Sequence, residues 1–271
     1  MRTVRRGLFC LMVLSLMGLQ GQEDVVTLPP TPEVELPFPV GETLTYTIYW
    51  GWIAVGESKA TTQWAWVDNQ WKLRIRFRTK SNGVLSSLYP VDDIIETLVD
   101  PQTLRPETYR MILNQGDRHR NELTTFDWEN MQARYVRKRK DREDEVKVYE
   151  IKPDTRDLVS FMYFLRRTDF EPQSTYEFEV MSDEKLYDLE VNTKTKERIR
   201  LKAYGKVESL RLDPKAEFQG VVMDRGSMRI WISSEGRQVM TKLFIDTPFA
   251  NVRLLLKSVG GPGSDAWMSE D

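Results

Sequence analysis

The chain has 271 residues, with 39 basic and 41 acidic side chains, one histidine and one cysteine, for a formal charge of −2. Without an excess of positive charge it is not built as a dedicated nucleic-acid binder. One cysteine and one histidine exclude a disulfide framework and leave any zinc site dependent on carboxylates, an unusual donor set.

Arg2, Arg5 and Arg6 precede an apolar run from Leu8 to Leu19, and small residues end at Gly21. A basic start, an apolar middle and a small residue at the cut predict a secretory signal peptide over 1–21. The run of about 12 residues falls short of the roughly 20 that a membrane span requires, so no stable transmembrane anchor is expected. Arg5-Arg6 loosely resembles a twin-arginine signal, but basic pairs are ordinary in such leaders, and a general secretory route is preferred. Cys10 sits inside the apolar run rather than at its end, where a lipoprotein would carry it. The expectation is therefore a periplasmic protein, soluble after cleavage, without a lipid anchor and without cysteine. Removing three arginines and no acid takes the formal charge from −2 to −5. About 250 residues remain, enough for one large β domain or two small ones.

Residues 22–37, with Pro29, Pro30, Pro32 and Pro37, read as an extended linker. A single β-rich domain is expected over 38–259. Leu44, Tyr46, Ile48, Trp50 and Trp52 recur with period two, as do Trp71, Leu73, Ile75 and Phe77. The second set alternates with Lys72, Arg74, Arg76, Arg78 and Lys80, giving a strand with one apolar and one cationic face. Weaker alternation recurs at 104–113, 121–128, 132–139, 145–151, 175–181, 186–193, 198–204, 227–233, 238–246 and 251–258. Asp68-Asn69, Asn114 to Asp117 and Glu235-Gly236 sit where hairpin turns are needed. Gly51 and Gly56 suggest a bulge or a close backbone approach, and with Gly41 they lack the context of a phosphate loop.

One segment breaks the pattern. Leu158, Phe161, Met162 and Leu165 fall at helical spacing within 157–167, with Asp154 or Thr155 as caps and Arg166 and Arg167 at the end. Val159, Tyr163 and Phe164 widen the apolar face, so this helix must be largely covered. Gly83 to Tyr89 suggests a shorter helical turn. The whole predicts a mainly β fold: a strongly curved antiparallel sheet, half-barrel or barrel-like, with one apolar helix on its concave side. Gly260 to Asp265 predicts a flexible tail over 260–271, in which Trp267 reads as a stray exposed aromatic.

Four segments resemble, in order and spacing, the bacterial exported family called domain of unknown function 3108. They are GETLTYTIYWGWIAVGESKA from Gly41, VDDIIETLVD at 91–100, DLVSFMYFLR at 157–166 and MRIWISSEGRQVMTKLFIDTPFANVRLLL at 228–256. The resemblance covers roughly residues 38–257 and implies a β-rich envelope protein of unestablished activity, with no catalytic residues to carry over. That general shape is shared by periplasmic lipoprotein carriers, whose half-barrel holds acyl chains under a helical lid; this is an analogy of fold alone.

Three groups of residues offer chemistry. Asp92 and Glu96 share a strand face with Asp93 between them, and a carboxylate pair suits glycosidic hydrolysis, as would a hydrolase built around His119. No G-x-S-x-G elbow accompanies His119, and its neighbours are charged. Ordinary ion pairing accounts equally for the acids. Trp50, Trp52, Trp64 and Trp66, four of five tryptophans within 22 residues, form either an aromatic wall for acyl chains or sugars, or simply core. On this reading a hairpin brings the two pairs together. Arg74, Arg76 and Arg78 either bind lipid headgroups and other anionic envelope polymers, or form a solvated outer face. No cofactor or metal site is indicated. Three functions stay open: a non-enzymatic envelope protein binding a lipid, glycan or partner in a concave sheet face, a carboxylate-dependent glycan or ester hydrolase, and an assembly module using a sheet edge. Oligomeric state is not legible.

Overall fold

The computed structural model describes residues 28–218, 221–222, 228–246, 251–265 and 267–268. The expected leader at 1–21, with Cys10, lies outside them. The first run of strands is an antiparallel meander: β1 (Thr43–Trp50), β2 (Ile53–Val67), β3 (Gln70–Ser81), the short helix α1 (Gly83–Leu88), then β4 (Asp92–Val99), β5 (Pro106–Gln115), β6 (Arg118–Asp127), β7 (Gln132–Arg137) and β8 (Glu145–Glu150). A crossing segment follows, made of β9 (Arg156–Asp157), α2 (Leu158–Phe164) and a 3-10 turn at Leu165–Arg167. The second run is β10 (Thr175–Ser182), β11 (Lys185–Leu201), β12 (Gly205–Phe218) with the short β13 (Val221–Val222) beside it, β14 (Met228–Ser233), β15 (Met240–Asp246) and β16 (Asn251–Gly260).

The two runs join where β16 pairs antiparallel with β1, giving one sheet in the order β8-β7-β6-β5-β4-β3-β2-β1-β16-β15-β14-β12-β11-β10-β9. The sheet is curved and does not close by backbone pairing. Side chains bridge its two ends instead: Lys147 Nζ lies 2.8 Å from Glu184 Oε2, and the Lys152 amide donates to Glu179 Oε1 at 3.0 Å. The expected mainly β, barrel-like curvature with one covered helix is the architecture observed.

The hairpin turns fall where expected. Asp68 and Asn69 take φ of 50° and 59°, the left-handed pair that a two-residue turn matched to strand twist requires. Gly56 sits opposite a register shift in β1, and a Cβ there would lie 2.3 Å from the Lys80 carbonyl oxygen. The close approach expected of that glycine is real.

Four expectations need correcting. Trp52 is not on the strand with Trp50, because the chain turns at Gly51-Trp52 and β2 begins at Ile53. β2 runs on for 15 residues, which puts Trp64 roughly 35 Å from the turn, so the hairpin separates the two tryptophan pairs. The segments read at 186–193 and 198–204 form one long strand, β11, with a register shift between Thr193 and Lys196. Its partner β12 carries a phase slip in its apolar pattern (Val207, Ser209, then Leu210 and Leu212 buried) and Pro214, which hide it from a period-two reading. Finally, Trp267 is buried at 1 % exposure against Tyr204, ring centroids 4.9 Å apart. The tail turns inward at Gly261 (φ 90°), where a Cβ would lie 2.2 Å from the Gly41 carbonyl oxygen.

The inner face of the sheet holds two apolar clusters. One gathers Leu73, Ile75, Tyr109, Phe126 and Tyr135 from the first run; the other gathers Tyr46, Val191, Leu212, Ile230 and Leu256 around the second. α2 and the 3-10 turn after it serve both, α2 giving Val159 and Tyr163 to the first and Phe161 to the second, and the turn giving Leu165 to the second. A helix apolar on nearly every side is what a position between two cores demands.

Candidate functional site

α2 is fixed at both ends by buried polar groups, and these decide where any hollow beside it lies. At its start the cap is Asp157, not Asp154 or Thr155. The Asp157 carboxylate accepts from the amides of Val159 (2.8 Å) and Ser160 (2.9 Å), while Ser160 Oγ accepts from the Asp157 amide at 3.0 Å. The second carboxylate oxygen accepts from Thr97 Oγ1 on β4 at 2.7 Å, which ties the helix start to the sheet. Burial pushes the Asp157 pKa up, and these hydrogen bonds oppose the shift.

Beyond the helix, Arg166 donates to both carboxylate oxygens of Glu42, with Nη2 to Oε1 at 3.0 Å, and its Nε donates to the Gln238 carbonyl at 2.8 Å. The guanidinium also lies over the rings of Phe38 (4.9 Å) and Tyr163 (5.3 Å).

Between the half-buried flank of α2 and the strands of the second run lies an apolar hollow of about 300 Å³. Leu158, Phe161 and Met162 form its helical wall, and Val180, Leu189 and Ile230 contribute from β10, β11 and β14. Ser182 and Tyr187 are the polar residues that reach it. A concave apolar surface with a few polar groups at its border has the composition of a small-molecule site, at the lower end of the usual size range. A larger hollow of about 570 Å³ near Lys152 is lined by charges that already pair with one another, Lys152 with Glu179 and Asp188 among them.

The residues singled out in the sequence lie elsewhere. Arg74, Arg76 and Arg78 form the outer face of β3 and meet the carboxylates of β4: Arg76 Nε is 2.6 Å from Glu96, Arg74 Nε is 3.5 Å from it, and Arg78 makes two bonds of 2.9 Å to Asp92. The cationic stripe and the acid pair are therefore two halves of one ion-paired surface, and the Arg78 guanidinium draws the Asp92 pKa down. Asp92 and Glu96, four residues apart on a strand, are separated by roughly 13 Å. That exceeds the spacing of about 5 to 9.5 Å at which glycosidase carboxylates flank a bond. Asp93 faces inward and accepts from the Asn114 amide and Gln115 Nε2 at 2.8 and 2.6 Å. His119 is exposed at the start of β6, its Nδ1 2.9 Å from Asn114 Oδ1. The hydrolase candidates do not converge on one another.

Trp64 and Trp66 both meet Trp71 edge-on, with centroids 6.4 and 5.2 Å apart, at the far end of β2. Trp50 and Trp52 stand 52 % and 89 % exposed at its near end. Neither pair lines the apolar hollow. The hollow's own residues are mostly common apolar side chains on six separate elements, α2, β10, β11, β12, β14 and β15, and the sequence signal for them was the helix that had apolar residues to spare. No group of three or more His, Cys, Asp or Glu side chains that would hold a metal occurs among the described residues, and no helix among them is long and apolar enough to cross a membrane.

The fold has a counterpart among solved structures. A crystal structure of a β-barrel-like protein of domain of unknown function DUF1849, from Brucella abortus, superposes with a TM-score of 0.55 at 10% identity, over 82% of this chain and 98% of that one. No curated protein matches the chain. The family model described as Protein of unknown function (DUF3108) matches residues 45–257, which takes in the first of the four segments from Thr45 onward and the other three whole, and the chain belongs to that family.

Proposed function

We propose that this is an exported cell-envelope protein that binds the apolar part of an amphipathic ligand, a lipid or other acylated molecule, in the hollow beside α2. The observation that carries the reading is the lining of that hollow: Phe161, Met162, Val180, Leu189 and Ile230 leave an apolar space next to a helix fixed by polar anchors at both ends. The walls of this hollow are apolar and open to water, so an acyl chain lying in it would remove apolar surface from solvent. The leader-like sequence at 1–21 supports an envelope address, where such ligands are abundant.

Two measurements test it. Native mass spectrometry of protein taken from its own envelope should show a co-purified lipid. A fluorescent fatty-acid probe should bind the wild-type chain, and Ala216→Trp, which fills the hollow from a half-exposed strand position, should weaken that binding about tenfold while leaving the melting temperature within a few degrees. Bare polypeptide in the spectrum, with probe binding indifferent to Ala216→Trp, would sink the proposal.

A further inference from the structure

One rim of the sheet carries an unusual set of side chains. Because neighbouring strands are antiparallel, this rim collects the end of β1, the start of β2, α1, the β5–β6 turn, the start of β6 and the β7–β8 connection. At the β1–β2 turn, Trp52 is 89 % and Ile53 70 % exposed, and on α1 Leu88 is 81 % exposed. Isolated exposed apolar residues mean little, but these stand on adjoining elements that are stitched together. Asn82 binds α1 to the start of β2, its amide donating to the Val55 carbonyl at 2.9 Å and its side chain to the Ala54 carbonyl at 2.6 Å. The Gly116 amide donates to the Pro90 carbonyl at 2.8 Å, under the Tyr89 ring.

The tryptophan turn is itself braced. The Gly51 amide donates to the Asn251 carbonyl at 2.9 Å, and Arg253 Nη2 donates to the Gly51 carbonyl at 2.7 Å. The Arg253 guanidinium lies 5.7 Å from the Trp52 ring. A turn held this firmly presents its indole outward as a fixed feature.

Further along the same rim the character changes to basic. Arg137, Lys138, Arg139, Lys140 and Arg142, with His119 and one acid, Asp141, line a hollow of about 300 Å³. Lys138 and Arg139 are paired with Asp144 and Glu145, whereas exposed Lys140 and Arg142, and the acids Asp141 and Glu143 beside them, have no ion-pair partner among the described residues, which leaves the cations free to turn toward headgroups and the acids toward solvent.

We propose that this rim docks on an anionic bilayer surface, with Trp52, Ile53 and Leu88 entering the headgroup–acyl boundary and Lys140 and Arg142 resting on the headgroups. Indole is the side chain best suited to that boundary, having an apolar body and a polar N–H, and protruding turns reach into lipid where a flat protein partner would require a broad face. Juxtaposed cations add attraction to anionic headgroups.

The register connects this surface to the hollow beside α2. Trp50 pairs with Val252, Val252 with Ile245, and Ile245 with Met228, in one row across four strands. Ile245 and Met228 line that hollow, so the tryptophan turn and the apolar space belong to the same end of the sheet. If the ligand reading holds, a docked molecule would have that space beside the bilayer; the docking itself does not depend on it.

The test uses the full chain with Cys10→Ser and one new cysteine, Ile53→Cys at the rim or Gln102→Cys at the opposite end, each carrying an environment-sensitive fluorophore. The vesicles are phosphatidylethanolamine with or without phosphatidylglycerol. The expected result is a blue shift at position 53 on phosphatidylglycerol-containing vesicles and none at position 102. Trp52→Ala with Leu88→Ser should weaken partition about tenfold, and Lys140→Glu with Arg142→Glu should weaken it severalfold at low salt and little at high salt. Positions 52, 53, 88, 102, 140 and 142 are exposed, so changing them should leave the circular dichroism as it is. Equal responses at the two labels, no response at position 53, or a response there that needs an added envelope protein would each overturn docking on lipid. Because the mass spectrum tests the ligand separately, a chain that docks without cargo and one that carries cargo without docking are distinguishable outcomes.

Discussion

Arg166 and Glu42 are 124 positions apart in the chain and meet in a two-pronged ion pair, with side-chain exposures of 3 % and 0 %. The pair joins the end of the α2 segment to the entry of β1, and Phe38 and Tyr163 cover it. Taking both charges out of water costs about as much as their attraction returns, so the pair fixes the helix in place more than it adds stability. Removing one partner is another matter, because it strands the other charge. Glu42→Ala should cost about 3 to 5 kcal/mol in denaturant titration, and Glu42→Leu with Arg166→Met should recover part of that loss, since Arg237, 3.7 Å from Glu42, also loses its acid. A double variant no more stable than the single one would show that the pair is needed for more than mutual neutralisation.

Asp157 leads to a statement about pH. Its pKa in the folded chain is raised by burial, above the value of about 3.9 in an unfolded chain. The folded state therefore holds this proton more tightly, and the contribution is most favourable below the unfolded value. It is lost as pH climbs toward the folded value. Asp93, raised for the same reason, acts in the same direction. Asp157→Asn keeps an oxygen for the Val159 and Ser160 amides, so stability measured from pH 4 to 7 should decline less steeply in that variant than in wild type. Asp157→Ala should lose about 1 to 2 kcal/mol near pH 4, as for other lost caps, and less toward pH 7, where the wild type's own advantage fades.

What the sequence made legible follows from how local each signal is. The outer and inner faces of β3 could be read because its alternation is unbroken from Trp71 to Lys80. The apolar span of α2 was plain, but its cap was not: Asp154, Thr155 and Asp157 all suit the role, and the choice rests on Thr97, sixty residues away. β12 was lost because a phase slip at Leu210 spoils the period. The candidate site was the least legible part. Rare residue types carry the strongest sequence signals, yet the tryptophans and arginines among them are at strand ends and on the outer face. The hollow is made of common apolar residues on α2, β10, β11, β12, β14 and β15 that become neighbours only when the second run of strands curls over the helix.

The end of the chain shows the same limit and supplies a direct check. A Gly-Gly-Pro-Gly-Ser stretch looks like a tail, yet Gly261 gives the turn that brings Trp267 back to the sheet. There the Trp267 carbonyl accepts from the Arg237 amide at 3.0 Å, and its ring packs on Tyr204, whose hydroxyl accepts from the Val259 amide at 2.8 Å. Trp267 thus covers the second apolar cluster at the rim opposite the exposed Trp52. Cutting it to alanine removes a large buried ring from a site that cannot fully collapse, because Tyr204 is held by its hydrogen bond. Trp267→Ala should cost about 3 to 5 kcal/mol, which for a domain of this size lowers the melting temperature by roughly 10 °C. Trp52→Ala, which deletes the same side chain from an exposed turn, should leave the melting temperature nearly unchanged. A thermal melt of the two variants side by side separates the tryptophan that holds the fold from the one that is free to meet a partner.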